Sequence, residues 1–437
     1  RRPQTSWECV GWVRRCVYEP ELSVRDHVAC LQVAWDGGGI PGDGVVGAED
    51  CLYLDITAPV RASAVEPLPV MFWIHGGGNT SGFKGYYDFS TLVESQQVIV
   101  VAINYRLGPF GWFSHPVVQK QAKGIDRSSN FGTLDIIQAL SWVQQNISEF
   151  GGDAKNVTLF GESAGGHNVF ALLASPLSEG LFQKAISQSG YLKTNTVEEA
   201  INADDDYPRI RRSSSQLFAS MIDAGVLADV STKSAYDVAG NTLMEYYLEL
   251  NDQGDVPLTT ADGIVISKEG MLAALADSSN AKDVPVIAGA NRAEVTLWMS
   301  RHRYFVNADY LLTRWLPPRI TLRDPDLYAF WARIRSEAWK LRGVDEPLIA
   351  MEAAGYPDLY AYRFDWDDQE ISFFADFPHL IGAAHAIDIA FVTGTYTYGP
   401  ISSYVYPEGE SRNQMQELMM SAWAEFARTG SPQMPID

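Results

Sequence analysis

The pentapeptide Gly161-Glu162-Ser163-Ala164-Gly165 sets a serine between two glycines at the spacing G-x-S-x-G. Serine is a weak nucleophile unless its hydroxyl is presented and a base takes its proton. The glycines serve presentation, because a serine on a sharp strand-to-helix turn tolerates no bulky neighbours. Such a turn also places the hydroxyl at a helix N-terminus, whose dipole favours negative charge. The motif recurs by chance in many chains, so its flanks carry the weight. An apolar run, Val157-Thr158-Leu159-Phe160, precedes it, and a helix-like run, Ala164 to Ala174, follows. A second cluster, His75-Gly76-Gly77-Gly78, also ends an apolar run. Acyl transfer builds an oxyanion that backbone N–H groups must reach, and glycines permit that approach. Gly77, Gly78 and Ala164 are the expected donors; a plain flexible turn is the rival reading of the glycines.

A base and an orienting acid must follow, in the chain order serine, acid, histidine. Of seven histidines, only His302, His379 and His385 lie late enough. His302 comes early, before two further core segments. His379 and His385 are close rivals. The small residues of Gly382-Ala383-Ala384 and the strand-like run Ile387, Ile389, Ala390, Phe391 and Val392 favour His385. For the acid, Glu294 stands in the turn after the apolar run Val284 to Ala290. Asp262 and Asp283 are alternatives, and a surface carboxylate is the bland account of Glu294.

These groups need a scaffold. Pro69 to Ile74, Val98 to Asn104, Val157 to Phe160, Ala185 to Ser187, Val284 to Ala290 and Leu359 to Phe364 have the pattern of buried strands. Apolar periodicity predicts helices over 132–149 and over Asn413 to Thr429. Their alternation implies an α/β fold, with a mostly parallel sheet and helices on both faces. The chain reads as one domain over 1–437, with residues 195–280 and 300–355 as helical insertions or caps. A net charge of −21 argues against nucleic-acid binding. No eighteen-residue apolar run is present, so no integral membrane segment is expected. The chain begins Arg1-Arg2-Pro3 and displays no leader. The four cysteines, Cys9, Cys16, Cys30 and Cys51, lack zinc-site spacing and admit three full pairings. Cys30 and Cys51 bracket the Gly-rich stretch at Trp35 to Gly39. A bridge there would close a loop of about 20 residues and contribute roughly 3 kcal/mol. Four buried free thiols fit the spacing equally well.

Together these residues resemble the type-B carboxylesterases, which include cholinesterases and fungal lipases. The likeness runs from about Cys30 to the C-terminus. It is carried by Glu49-Asp50-Cys51-Leu52-Tyr53-Leu54, His75 to Gly78, Asn104-Tyr105-Arg106-Leu107-Gly108, Phe150 to Gly166, Gly289 to Glu294, Gly382 to His385 and Trp423 to Pro432. Trp339 to Arg363 and Trp366-Asp367-Asp368 resemble bacterial members in particular. The resemblance implies the α/β-hydrolase fold, a triad of Ser163, Glu294 and His385, and oxyanion donors Gly77, Gly78 and Ala164. It also implies a Cys30–Cys51 disulfide, a structural Arg106–Asp135 salt bridge, and a role for Glu162 in the electrostatics of the site. With the disulfide, exported bacterial relatives imply an extracellular or periplasmic location. The chain departs from the pattern at Asn79, where an aromatic or aliphatic residue is usual, and at Val295, where glycine is usual. Residues 1–29 have no recognisable counterpart of the family's first strands. Trp35 lies too near the first cysteine to match a choline-binding tryptophan, so cholinesterase specificity is not expected.

The implied activity is hydrolysis of small to medium or aryl carboxylic esters, with a small-molecule ester as partner and no metal or organic cofactor. The alternatives are a non-catalytic binding relative and a lipase for longer acyl chains. Acyl transfer to another alcohol would use the same residues.

Overall fold

The computed structural model describes residues 6–10, 13–19, 29–34, 40–60, 62, 63, 65–120, 122–210, 213–229, 240–249, 258–310 and 318–433. The stretch Trp35 to Gly39 lies outside them. A nine-stranded sheet forms the centre. Its strands are β1 (Ser6–Val10), β2 (Val13–Glu19), β3 (Leu54–Pro59), β4 (Leu68–Ile74), β5 (Ile99–Ile103), β6 (Gly152–Glu162), β7 (Lys184–Gln188), β8 (Val286–Asn291) and β9 (Leu359–Phe364). They lie in the order β1-β2-β3-β5-β4-β6-β7-β8-β9. The first three pair antiparallel, and β5 onward is parallel. Two strands thus occupy residues 6–19, where the sequence displays no strand pattern. In their register Cys9 stands opposite Cys16.

The parallel strands are apolar throughout because both of their faces are covered. Val70, Phe72 and Ile74 of β4 join a core with residues of α1 (Phe131–Asn146) and α2 (Ala164–Ala174). Met71 and Trp73 point the opposite way, into a core with Trp423 and Phe426 of α4 (Glu410–Thr429). The register then brings the carboxyl ends of the strands level: Ile74 pairs with Gly161, Glu162 with Gln188, and Gly289 with both Gln188 and Tyr362. Turns that leave this edge therefore converge, as in open α/β sheets generally.

Cys30 and Cys51 are joined as a disulfide. Arg106 donates from Nε and Nη2 to the two oxygens of Asp135 on α1, at 2.8 and 2.7 Å. Residues 195–280 contain helices at Val197–Ile201, Ser214–Asp223, Gly240–Glu249 and Met271–Ala276. Some of these pack with Leu31 in a small core of their own around Phe218, Met221 and Met244. The segment 300–355 is not purely helical. A two-stranded ribbon, Val306–Asp309 with Arg319–Leu322, precedes α3 (Pro325–Lys340). The strand-like run after His385 is also a helix, Ile389–Thr393, ended by Gly394 in the left-handed region. A short apolar run that is buried on all sides has no periodicity to separate the two structures.

Candidate active site

Ser163 follows β6 directly and opens α2 with φ 58° and ψ −118°, a conformation that side-chain-bearing residues rarely adopt. Packing against the end of β4 enforces it. A Cβ on Gly165 would lie 1.9 Å from the Ile74 carbonyl oxygen, and one on Gly161 would lie 2.7 Å from the same atom. Only glycine fits on either side of the serine. A Cβ on Gly76 would come within 3.2 Å of the Ser163 Cβ, so the glycine loop lies on Ser163 itself. Gly77 and Gly78 have φ of +98° and +64°. Ala164 is the first residue of α2, where backbone N–H groups have no helical partner. The helix is buried along its whole length.

His385 and Glu294 come from two separate turns. The carboxylate of Glu294 is fully buried and lies 2.5 Å from His385 Nδ1. Its other oxygen accepts from the backbone N–H of Asn291 at 2.7 Å. In its neutral form the imidazole therefore carries its proton on Nδ1 and leaves Nε2 as the acceptor. Nε2 has no hydrogen bond among the described residues and stands 3.2 Å from Glu162 Oε1. Trp298 and Trp339 stack on each other at 5.7 Å, and their rings lie 5.0 and 4.9 Å from the imidazole. Trp298 is about half exposed, at 49%, so this aromatic wall is open to an incoming molecule.

Burial opposes charge on His385, but Glu162, Glu294 and Asp388 outweigh it and raise the imidazole to about 9. Burial raises Glu162 to about 8, against the pull of His385 and with the repulsion of Asp388 and Glu294. The surroundings thus favour imidazolium, the form that arises when a base has taken a proton. His75 and His167 are held near 4 by burial and stay neutral at pH 7. His75 Nδ1 donates to the Gly76 carbonyl at 2.8 Å and steadies the glycine loop. His167 donates to the Tyr191 carbonyl at 2.8 Å and accepts from the Thr259 hydroxyl at 2.6 Å.

The rival residues lie elsewhere. His379 is exposed and bonds Asp376 on its own short helix. His302 and Asp283 are exposed. Asp262 organises a loop by accepting from Ser128, Ser129 and Asn130 and from the backbone of Ile264, Val265 and Ile266. Asn79 has φ 59°, which explains an asparagine at that position, since asparagine tolerates the left-handed region. Val295 has φ −77°, so glycine is not needed there. Sequence reasoning missed Trp298 and Asp388, which stand in no local motif, and gave no role to Asn291 and Trp339, which lie within the stretches Gly289 to Glu294 and Trp339 to Arg363. Among the described residues no group of three or more His, Cys, Asp and Glu side chains could hold a metal ion. No helix among them is long and apolar enough to cross a membrane.

A profile of the Carboxylesterase family matches residues 6–309 and 346–436. The chain is 34% identical over 398 residues to para-nitrobenzyl esterase of Bacillus subtilis (strain 168), covering 88% of this chain and 75% of that protein. It is 31% identical over 416 residues to carboxylesterase 1E of Mus musculus, covering 88% and 70%. Among solved structures it is similar to the Geobacillus stearothermophilus carboxylesterase EST55, with a TM-score of 0.69, 25% identity and coverage of 98% and 90%. A structure of PNB esterase gives a TM-score of 0.67 at 28% identity, covering 94% and 81%.

Proposed function

Because the chain belongs to the carboxylesterase family and is a serine carboxylesterase of the α/β-hydrolase fold, we propose that Ser163, His385 and Glu294 are its triad. The observation that carries this reading is the 2.5 Å contact of a buried glutamate with Nδ1 of an imidazole whose Nε2 remains available. Ser163 Oγ attacks the ester carbonyl carbon as His385 Nε2 takes the hydroxyl proton. The negative charge gathered on the carbonyl oxygen is met by the N–H groups of Gly77, Gly78 and Ala164. The imidazolium, stabilised by Glu294 and Glu162, then gives its proton to the departing alkoxide, which leaves as the alcohol. Water adds to the acyl-serine by the same route, and the acid is released.

The stacked Trp298–Trp339 wall beside His385 supports small to medium or aryl esters as substrates. A second reading, longer acyl chains, is favoured by Phe330, Trp331, Ile334 and Leu341. These apolar residues are exposed on or just beyond α3, the helix that carries Trp339. The chain acts as one catalytic domain, with segments from 195–280 and 300–355 forming walls of the site. The disulfide supports an extracellular or periplasmic location.

The test is hydrolysis of p-nitrophenyl acetate, butyrate and octanoate by the wild type and by Ser163→Ala. The wild type turns over at least one ester, and the variant loses on the order of 10⁶ in kcat. A peak at acetate or butyrate supports the esterase reading, and a peak at octanoate supports the second. Equal rates in a folded wild type and variant would overturn the serine assignment.

A further inference from the structure

The geometry points to Asn291 as a positioning residue that holds the Glu294 and His385 turns in mutual register, with Asp388 as its anchor. This inference rests on the triad reading above. Glu294 lies in the turn after β8, and His385 lies in a loop between Phe377–Leu380 and Ile389–Thr393. Ninety-one residues separate them, yet their side chains must keep a 2.5 Å contact. Asn291 touches both turns. Its backbone N–H donates to Glu294 Oε1 at 2.7 Å. Its side-chain amide donates to the carbonyl of Ala384, just before the histidine, at 2.6 Å. The same amide donates to Asp388 Oδ1, three residues after the histidine, at 3.1 Å.

Asp388 is fully buried, and its hydrogen-bond partners are neutral donors. Besides Asn291, they are Gln188 Nε2 at 2.8 Å and the Tyr362 hydroxyl at 3.3 Å, both on Oδ2. Gln188 is itself fixed, since its Oε1 accepts from Trp423 Nε1 at 3.1 Å. Tyr362 reaches Asp388 because Gly289 has no side chain; a Cβ there would lie 1.9 Å from the tyrosine ring. The histidine loop is thereby fastened to β7, β8, β9 and α4 through one carboxylate. A buried carboxylate is costly unless several donors meet it. This one also adds negative charge near the base. The charged or titratable groups around His385 are Glu162, Glu294 and Asp388, and those around Asp388 are Tyr362, Glu294 and His385.

The amide is the side chain this place requires. An aspartate would set a second carboxylate against Asp388, and a leucine would leave both the Ala384 carbonyl and Asp388 short of a donor.

The experiment measures kcat and KM on a p-nitrophenyl ester across pH for the wild type, Asn291→Ala, Asp388→Asn and the double variant, with thermal unfolding as the fold control. Asn291→Ala lowers kcat by about tenfold to a hundredfold with KM little changed, because misalignment acts on the transition state. In Asp388→Asn the acid limb of kcat/KM moves to lower pH, because a negative neighbour of His385 is gone; loosened packing alone would leave the limb in place. The double variant falls no further than the worse single one, as residues acting through one contact do. Should Asn291→Ala not fold, Asn291→Ser carries the same test. An Asn291 variant with wild-type kcat, an unmoved limb in Asp388→Asn, or losses that multiply would each overturn the inference. A folded His385→Ala that keeps wild-type activity would instead overturn the triad reading.

Discussion

The two sides of the active site are built from different materials. On the nucleophile side the backbone does the shaping: Ser163 is held at a positive φ, and Gly161, Gly165 and Gly76 each admit a contact that a methyl group would block. Side chains play a smaller part there, chiefly the His75 ring that donates to the Gly76 carbonyl. On the side of the base, side chains do the shaping. His385, Glu294, Asn291, Asp388, Gln188, Tyr362 and Trp423 form a buried polar chain that draws on three strands and the last helix. The first side tolerates almost no added volume, and the second almost no lost donor or charge. Damage to the first should therefore unfold the protein, and damage to the second should leave a folded protein that works badly.

Three substitutions can break or sharpen that contrast. The largest effect is expected from Glu294→Gln, which removes the charge opposite the imidazole and upsets its tautomer. The variant folds, and kcat drops by on the order of 10⁴; a loss under tenfold would show that the carboxylate is not needed there. Next is Gly165→Ala on the opposite side. Its methyl group would sit 1.9 Å from the Ile74 carbonyl oxygen, and stability falls by roughly 3 kcal/mol or more. Denaturant unfolding checks this, and an unchanged midpoint would mean the elbow is softer than its packing implies. The smallest effect is expected from Glu162→Gln. Glu162 Oε1 lies 3.2 Å from His385 Nε2, and its charge raises the imidazole. Removing that charge lowers the pKa of His385, so neutral base appears at lower pH. The acid limb of kcat/KM moves down by about one unit or more, equivalent to about 1.4 kcal/mol. An upward shift would show that Glu162 does not favour the imidazolium.

The same contrast explains what could be read from the residues. Backbone-built features leave local signatures, since glycines must sit at fixed offsets from the serine. The elbow, the glycine loop and the strands before them were legible, and β9 is found at Leu359–Phe364, where the sequence predicts it. The proposed base and acid were narrowed to a short list on pattern and to single residues only by family resemblance. The network behind them was not legible. Asn291, Gln188, Tyr362 and Asp388 meet only because adjacent parallel strands end level, and no spacing along the chain records that. The helix at Ile389–Thr393 was hidden by its uniform burial. The strands at 6–19 were hidden by polar and charged residues that fit no simple alternation.

The helix behind the serine, Ala164–Ala174, has every residue buried. Beyond its first turn, which faces the site, its amides have no route to solvent by fraying or by a small local opening, because layers of the sheet and other helices cover each turn. Exchange of those amides with deuterated water has to wait for the rarest and largest opening of the molecule, the one that unfolds it. Ser163 is thus expected to be mounted on one of the slowest-exchanging parts of the chain, which would tie the lifetime of the activity at high temperature to the lifetime of the whole fold.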